Sequence, residues 1–400
     1  MNIAVLGYGT VGSGVVEIID KKEVHHCAED LHLAHILDLR DFPGDPHEAI
    51  LTKRFEDILE DDSVGVVVEA MGGTNPAFDF TYRCLAAGKH VVTSNKELVA
   101  TKGLELLKLA EEKNVNYLFE ASVGGGIPII RPLSICLAGN TILKINGILN
   151  GTTNFILTKM IQEGVSFAEA LQTAQANGYA EADPTADIEG IDACRKISIL
   201  SSLSFGSYVD PKDIVTEGIS KITAEDVAYA EDADCVIKLI GTAEQLEDGK
   251  LQVQVSPAFI HKESMLAKVD GVYNAVAVTG SNVGDTLFYG QGAGKLPTAS
   301  ACVADVIDCV NHKDRRRPIG WGPAKENVIA DCNTLPMIYY VRLPGSVDCG
   351  ALGKVQMLHR PGAEDETAFL TQPISKADLL QTLAENNLPQ PLAIIRMAHC

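Results

Sequence analysis

Five carboxylates and a closing lysine are crowded into residues 177–196, NGYAEADPTADIEGIDACRK: Glu181, Asp183, Asp187, Glu189 and Asp192, then Arg195 and Lys196. Gly178, Pro184 and Gly190 interrupt most of this stretch, so it reads as loop, and a helix takes over from Ile191 on the apolar positions Ile197, Leu200 and Leu203. Asp192 and Lys196 stand four apart on that helix and share a face. A solvated acidic loop ending in an exposed ion pair is the plain reading of such a segment. Chemistry becomes the better reading if the rest of the chain builds a pocket around it. Carboxylates such as Glu181 and Asp192 suit a substrate ammonium. A lysine ammonium is a ready proton donor to a carbonyl that is being reduced. In the reverse direction its pKa must fall from about 10.4, through burial or a second cation. Lys96, if brought to the same crevice, would be that cation.

The pocket begins at the N-terminus. Residues 2–6, NIAVL, form an apolar run that ends in Gly7-Tyr8-Gly9-Thr10-Val11-Gly12, with a helical pattern behind it. Strand, glycine loop and helix in that order are the dinucleotide fingerprint in its required context. Gly7 makes the tight turn, Gly9 lets the backbone approach a pyrophosphate, and Gly12 allows close packing of helix on strand. The pyrophosphate belongs on the helix N-terminus, where unpaired N–H groups and the dipole favour an anion. A second strand over 31–39 ends near Asp38 and Arg40. An acid there suits the ribose hydroxyls of NAD, and a cation suits the 2′-phosphate of NADP. The chain offers both, with Lys53 and Arg54 nearby in sequence, so either cofactor fits, with a lean towards NADP and tolerance of NAD.

Alternation continues with strands at 64–68, 90–93 and 117–121 and helices at 76–87 and 104–112, which predicts a doubly wound parallel sheet of Rossmann type. Ligands bind at the carboxyl ends of such strands. Three loops fall there: Ala70-Met71-Gly72-Gly73-Thr74, Thr93-Ser94-Asn95-Lys96, and the glycine-rich run from Glu120 to Pro128. Beyond Pro128 the pattern changes, with a helix at 129–137, a strand at 142–149, helices at 155–162, 167–176 and 224–230, and strands at 235–242, 251–260 and 272–279. This predicts an α+β domain with an open, largely antiparallel sheet. Residues 289–294, YGQGAG, read as a second glycine-rich loop before a helix at 297–310, and 313–335 as a linker. The tail reads strand, strand, helix, strand at 337–343, 367–371, 376–385 and 392–397. The domain boundaries expected are 1–130, rejoined by about 295–325, then 131–295 and 336–400.

Composition bounds the function. A chain of 400 residues exceeds one ordinary core, and a net charge of −20 excludes nucleic acid and anionic membrane as partners, since a phosphate backbone needs a basic face. Only 313–317, KDRRR, is locally basic, and it reads as a helix end or surface turn. No run approaches a membrane span, and the first residues have neither a basic n-region nor a small-residue cleavage site. Ten scattered cysteines without CxxC pairs read as reduced, mostly buried thiols. The expectation is a cytoplasmic enzyme acting on a small molecule.

The residues that decide among small-molecule enzymes are Ala174-x3-Gly178-Tyr179-Ala180-Glu181-x-Asp183-Pro184-x2-Asp187-Ile188-x-Gly190-x-Asp192-x3-Lys196, and this run resembles the signature of the homoserine dehydrogenase family. Gly151-Thr152-Thr153-Asn154, Thr93-Ser94-Asn95-Lys96, Glu120-Ala121-Ser122-Val123-Gly124 and Gly290-Gln291-Gly292-Ala293-Gly294 resemble family segments in the same order, over residues 1 to about 325. The resemblance implies NAD(P)-dependent interconversion of L-aspartate 4-semialdehyde and L-homoserine, on the route to threonine, isoleucine and methionine. It implies Lys196 as proton donor and acceptor, and Lys96 bridging cofactor and reacting oxygen. Glu181 and Asp192 would hold the substrate amino group, with Asp187 and Thr152 nearby, and Gly178 and Gly292 would lie against the nicotinamide end. Thr93 and Ser94 join Gly7, Gly9, Thr10, Val11, Gly12 and Arg40 among the expected cofactor contacts. A monovalent cation, sodium, is implied at the Glu120 carboxylate with the backbones of Val123, Gly125 and Ile127, and a homodimer through the substrate domain.

The tail from Met337 resembles an amino-acid-binding ACT module, which implies threonine as an effector, but 344–358 is too short and glycine-broken to give that module its first helix. Two rival readings remain. One is another small amino acid-type NAD(P) reductase, which would lack the Glu181, Asp192 and Lys196 spacing. The other is a non-catalytic NAD(P)-sensing regulator, against which both lysines speak.

Overall fold

A computed structural model describes residues 1–21 and 31–399. It divides into two compact units: residues 1–142, 198–211 and 288–325 form one, and 143–197, 212–287 and 326–400 the other.

The first unit is built on a six-stranded sheet. Its chain order is β1 (Asn2–Leu6), α1 (Thr10–Asp20), β2 (His32–Leu37), β3 (Leu51–Thr52), α2 (Glu56–Leu59), β4 (Val64–Glu69), α3 (Ala77–Ala86), β5 (His90–Thr93), α4 (Lys96–Glu112) and β6 (Tyr117–Leu118). The strands lie in the order β3-β2-β1-β4-β5-β6 and every pair is parallel, the doubly wound arrangement expected. The central strands are apolar on both faces because helices cover both: Ile3, Ala4, Val5 and Leu6 are fully buried, as are Val66, Val67 and Val68. Gly14 lets α1 come against residues 295–299, since a Cβ there would stand 2.8 Å from the Lys295 carbonyl oxygen and 2.9 Å from Ala299 Cβ.

The second unit carries a mixed sheet. Its elements are β7 (Ile142–Ile148), α5 (Gly151–Glu163), α6 (Phe167–Ala176), α7 (Thr185–Ile188), α8 (Ile191–Phe205), β8 (Val215–Thr216), α9 (Ala224–Asp232), β9 (Cys235–Gln245), β10 (Leu251–His261), β11 (Tyr273–Gly280) and β12 (Gly284–Gln291). After α10 (Lys295–Asn311), which belongs to the first unit, follow β13 (Tyr339–Pro344), β14 (Gln356–Leu358), β15 (Glu366–Leu370), α11 (Lys376–Glu385) and β16 (Ala393–Met397). The strand order is β12-β11-β7-β9-β10-β16-β13-β15-β14, with β8 beside β10. β9 and β10 pair antiparallel along their whole length, and β16 joins β10 in parallel at Ala258 and Phe259. The tail therefore extends this sheet. It has its own apolar core of Tyr339, Val341, Leu343, Phe369, Leu379 and Leu383. Where an ACT module would carry a first helix, the tail has a short 3-10 turn at Gly350–Leu352.

Several elements differ from the sequence-based expectation. α4 begins at Lys96 rather than at 104, because Asn95 caps it and Gly103 is a contact rather than a break: a Cβ at 103 would stand 2.8 Å from the Trp321 ring. α5 starts at Gly151, four residues earlier than expected, because Asn150 caps it. The expected helix at 129–137 is a single π-type turn at Pro132–Cys136. Residues 289–291 are the end of β12, so the second glycine loop shrinks to 292–294. The expected linker is packed rather than slack: Trp321 is buried against Phe119, ring centroids 5.7 Å apart, and Ala330 N–H bonds the Leu251 carbonyl at 2.9 Å.

Candidate functional site

The glycine loop of the first unit has the geometry its residues call for. Gly7 takes φ +96 in the turn that ends β1, a conformation costly for any residue with a Cβ. A Cβ at Gly12 would stand 1.8 Å from the Gly7 carbonyl oxygen, so helix and turn can touch only through glycine. At Gly9 nothing lies within 4 Å of the same position, which leaves its backbone open to a phosphate at the first turn of α1, where Thr10 and Val11 sit.

Asp38 stands at the end of the second strand region as expected, but it is not idle. Its carboxylate accepts from Tyr8 N–H at 2.9 Å and from Arg40 at three positions: N–H at 3.0 Å, Nε at 3.0 Å and a terminal guanidinium nitrogen at 2.8 Å. The hydrogen bonds from Arg40 hold the Asp38 carboxyl well below the usual carboxylate range. Arg40 also lies over the Phe42 ring at 5.2 Å, and Lys53 reaches Asp41 at 2.6 Å. A cavity of about 350 Å3 lies here, lined by Gly7, Gly9, Asp38, Arg40, Lys53 and Met71. Its acid, its cations and its open glycine backbone fit the adenosine half of a dinucleotide.

At the next two strand ends, Thr93 is buried and Ser94 N–H reaches the Glu69 carbonyl at 3.4 Å; Lys96 is the first residue of α4. The Glu120 side chain is held by the backbone that follows its loop. One Glu120 oxygen accepts from Ile129 N–H at 2.6 Å and Ile130 N–H at 2.8 Å, the other from Arg131 N–H at 2.8 Å. The carboxylate thus serves the start of the π-type turn through three of its acceptor sites. No group of three or more His, Cys, Asp or Glu side chains among the described residues is arranged to hold a metal ion. Gly125 takes φ +57, and a Cβ on it would stand 2.4 Å from the Gly292 carbonyl oxygen, so the two glycine segments meet backbone to backbone.

In the second unit the acidic stretch is tied together by a residue that the spacing argument passed over. Asn150 Nδ2 donates to Asp187 at 2.7 Å and to Asp192 at 2.9 Å, while its Oδ1 accepts Thr153 N–H at 2.9 Å as the cap of α5. Lys196 meets Asp192 at 2.9 Å and donates to the Leu149 carbonyl at 2.6 Å. Asp192 and Lys196 are both buried. Thr152 Oγ1 donates to the Tyr179 carbonyl at 2.6 Å, which fixes the chain just after Gly178. Lys196, Asp192, Asp187 and Thr152 are thereby held around the N-terminus of α5. Glu181 is exposed, and its main-chain carbonyl accepts from Gln175 at 3.1 Å. Asp183 caps α7 through Thr185 N–H at 3.1 Å and Thr185 Oγ1 at 2.6 Å, which leaves it a structural role. A signal for Asn150 was available: an asparagine between a strand and a helix is a preferred N-cap.

Among the described residues no helix is long and apolar enough to cross a membrane, and the cysteines are free thiols, all buried except Cys136.

Comparison with known proteins places these features in a family. Residues 128–307 match the family described as "Homoserine dehydrogenase", and residues 7–120 match "Homoserine dehydrogenase, NAD binding domain". A homoserine dehydrogenase of Neisseria gonorrhoeae is 41% identical over 398 residues, 96% of this chain and 90% of its own. The crystal structure of a homoserine dehydrogenase from Thiobacillus denitrificans is similar at a TM-score of 0.89 and 35% identity, covering 100% of this chain and 98% of that one. A hyperthermophilic archaeal homoserine dehydrogenase mutant, solved in complex with NADPH, matches at a TM-score of 0.66 and 30% identity over 78% of this chain and 97% of its own.

Proposed function

The chain belongs to the homoserine dehydrogenase family, NAD(P)-dependent oxidoreductases, and on that premise we propose that it interconverts L-aspartate 4-semialdehyde and L-homoserine with Lys196 as the proton donor and acceptor. The observation that carries this reading is the chain of contacts Lys196–Asp192–Asn150–Asp187. A carboxylate and a carbonyl within 3 Å fix the Lys196 amine in one place and aim its protons, as a donor to a developing alkoxide requires. Asp192 and Asp187, brought together by Asn150, are the carboxylates suited to the substrate ammonium. Glu181 is the third acid of that set and Thr152 holds the loop that carries it. Lys96 contributes from the start of α4, as the contact to cofactor and reacting oxygen. Bound NAD(P) supplies or receives the hydride.

The same reading extends to selectivity and assembly. Arg40 and Lys53 suit a 2′-phosphate and Asp38 suits ribose hydroxyls, which favours NADP with tolerance of NAD. Sodium would sit on the Glu120 carboxylate and the loop carbonyls of Val123, Gly125 and Ile127. A homodimer through the second unit belongs to the same reading. Threonine binding by the tail rests on its strand-helix-strand close alone, and assay with and without millimolar threonine tests it.

Steady-state oxidation of homoserine, followed by the absorbance of the reduced nicotinamide with NAD and NADP in turn, tests the proposal. Turnover with both and a lower KM for NADP is expected. Cofactor binding without turnover would turn the protein into a sensor and sink the enzymatic reading.

A further inference from the structure

A second acid lies at the ligand edge of the parallel sheet, and no contact of the reaction described above uses it. Glu69 ends β4 at 0% exposure, where packing alone would take another valine. One carboxylate oxygen accepts the Thr93 hydroxyl at 2.6 Å and the other accepts Met71 N–H at 2.8 Å. Thr93 Oγ1 in turn accepts Asn95 N–H at 2.9 Å. Asn95 Nδ2 donates to the Gly73 carbonyl at 2.6 Å, and Asn95 Oδ1 accepts Leu98 N–H at 3.1 Å, capping α4 one residue before Lys96. These bonds form a closed circuit between the 71–73 loop and the first turn of α4. Burial raises the Glu69 pKa, and the hydrogen bonds from Thr93, Met71, Asn95 and Gly72 draw it down again. A buried carboxylate is expensive, and such groups concentrate at functional sites.

The direction of each bond is fixed by the donor inventory. The Thr93 hydroxyl accepts Asn95 N–H and gives its one proton to the ionised Glu69 carboxylate. Glu69 must therefore accept on both oxygens, which a carboxylate does and an amide cannot. We propose that Glu69 is a positioning residue: acting through Thr93 and Asn95, it locks the turn that presents Lys96 at the start of α4. The proposal rests on the reading that Lys96 contacts cofactor and substrate oxygen.

The full-length enzyme with saturating cofactor provides the test, as a double-mutant cycle on homoserine turnover. Glu69→Gln keeps the volume and breaks one of the two accepting bonds. It is expected to lower kcat about a hundredfold, the scale of a small misplacement of a reacting group, with the cofactor Kd changed far less. In a Lys96→Ala background the same substitution should cost little more, because its effect passes through Lys96. Losses that multiply, or a Glu69→Gln enzyme with undiminished kcat, would overturn the proposal. A fully active Lys96→Ala enzyme would instead remove the reading on which it rests. If Glu69→Gln does not fold, Thr93→Val, which removes the bridging hydroxyl and leaves Glu69 in place, carries the same cycle with the same expected outcomes.

Discussion

Asp192 and Lys196, one turn apart on α8, meet at 2.9 Å with both side chains buried, and the lysine leans back to the end of β7 to donate a second proton to the Leu149 carbonyl at 2.6 Å. An exposed pair at this spacing would contribute little. A buried one that also reaches a backbone acceptor is held in a single geometry, which is what a proton-transfer group needs. Lys196→Ala should therefore lower homoserine turnover by about 10²–10⁴-fold, the range for loss of a general acid or base, and leave cofactor affinity nearly unchanged. Lys196→Arg should be no better for homoserine oxidation, since a guanidinium does not give up its proton near neutral pH. Steady-state kinetics beside a fluorescence titration of NADPH separates the two effects, and retained turnover in Lys196→Ala would move the proton transfer to Lys96 or water.

Asn150 does two separable things, and substitutions can divide them. Its Oδ1 caps α5, and its Nδ2 holds Asp187 and Asp192 together. Asn150→Ser keeps a side-chain oxygen for the cap and loses the amide that bridges the acids. Thermal stability should stay near that of the wild type, while KM for homoserine rises about tenfold, the effect of roughly one charge-assisted hydrogen bond. Asn150→Ala should show the same rise in KM and, in addition, a lower Tm from about 1 kcal/mol of lost capping. An unchanged KM in both variants would separate Asp187 and Asp192 from substrate binding.

What was legible in the sequence follows from how local the cause was. Gly7, Gly9 and Gly12 could be read because each is demanded by the backbone within a few residues of itself: Gly7 takes a positive φ, Gly12 meets the Gly7 carbonyl, and open space lies beside Gly9. Lys196 and Asp192 could be read because a helix brings i and i+4 together without help. Asn150 could not be assigned to the acids, since its partners lie 37 and 42 residues away. The early start of α4 was not legible either, since Gly103 lies inside the helix against the Trp321 ring, which comes from far along the chain. The hold of Glu120 on the N–H groups of 129–131 was not legible for the same reason, since its partners lie nine to eleven residues on in a turn that the sequence read as helix.

Gly9 and Gly12 should respond differently to the same added methyl group. Gly9 has an extended backbone, φ −83 and ψ −156, and open space where a Cβ would go. Gly9→Ala should fold with a near-native Tm and bind NADPH more weakly, because the methyl group occupies ground needed by the pyrophosphate. Gly12→Ala meets the Gly7 carbonyl oxygen at 1.8 Å, an overlap that only a backbone shift relieves. It should lower Tm as well as affinity, on the scale of 1–3 kcal/mol for an overpacked site, roughly. Differential scanning fluorimetry with and without cofactor distinguishes the two, and equal destabilisation by both would contradict the assigned roles.

Asp305 gives the fold a pH dependence of unusual sign for a carboxylate. It lies buried on α10, accepts Glu120 N–H at 2.8 Å, and pairs with the Arg131 guanidinium. Burial pushes its carboxyl up to about 7; Arg131 draws it down, and the nearby charges of Glu120 and Asp308 push it up. In the unfolded chain the same group titrates near its ordinary value of about 3.9. Between those two values the folded state holds the proton that the unfolded state has released. The stabilisation is fully present below the unfolded pKa and is lost as pH rises through the folded one. Over pH 5–8 the wild-type Tm should therefore fall relative to that of Asp305→Asn, which carries no titrating proton at this position. A Tm difference between the two that stays flat across that range would mean that Arg131 keeps Asp305 ionised throughout, with the buried pair acting as a fixed tie between α10 and the turn that follows the Glu120 loop.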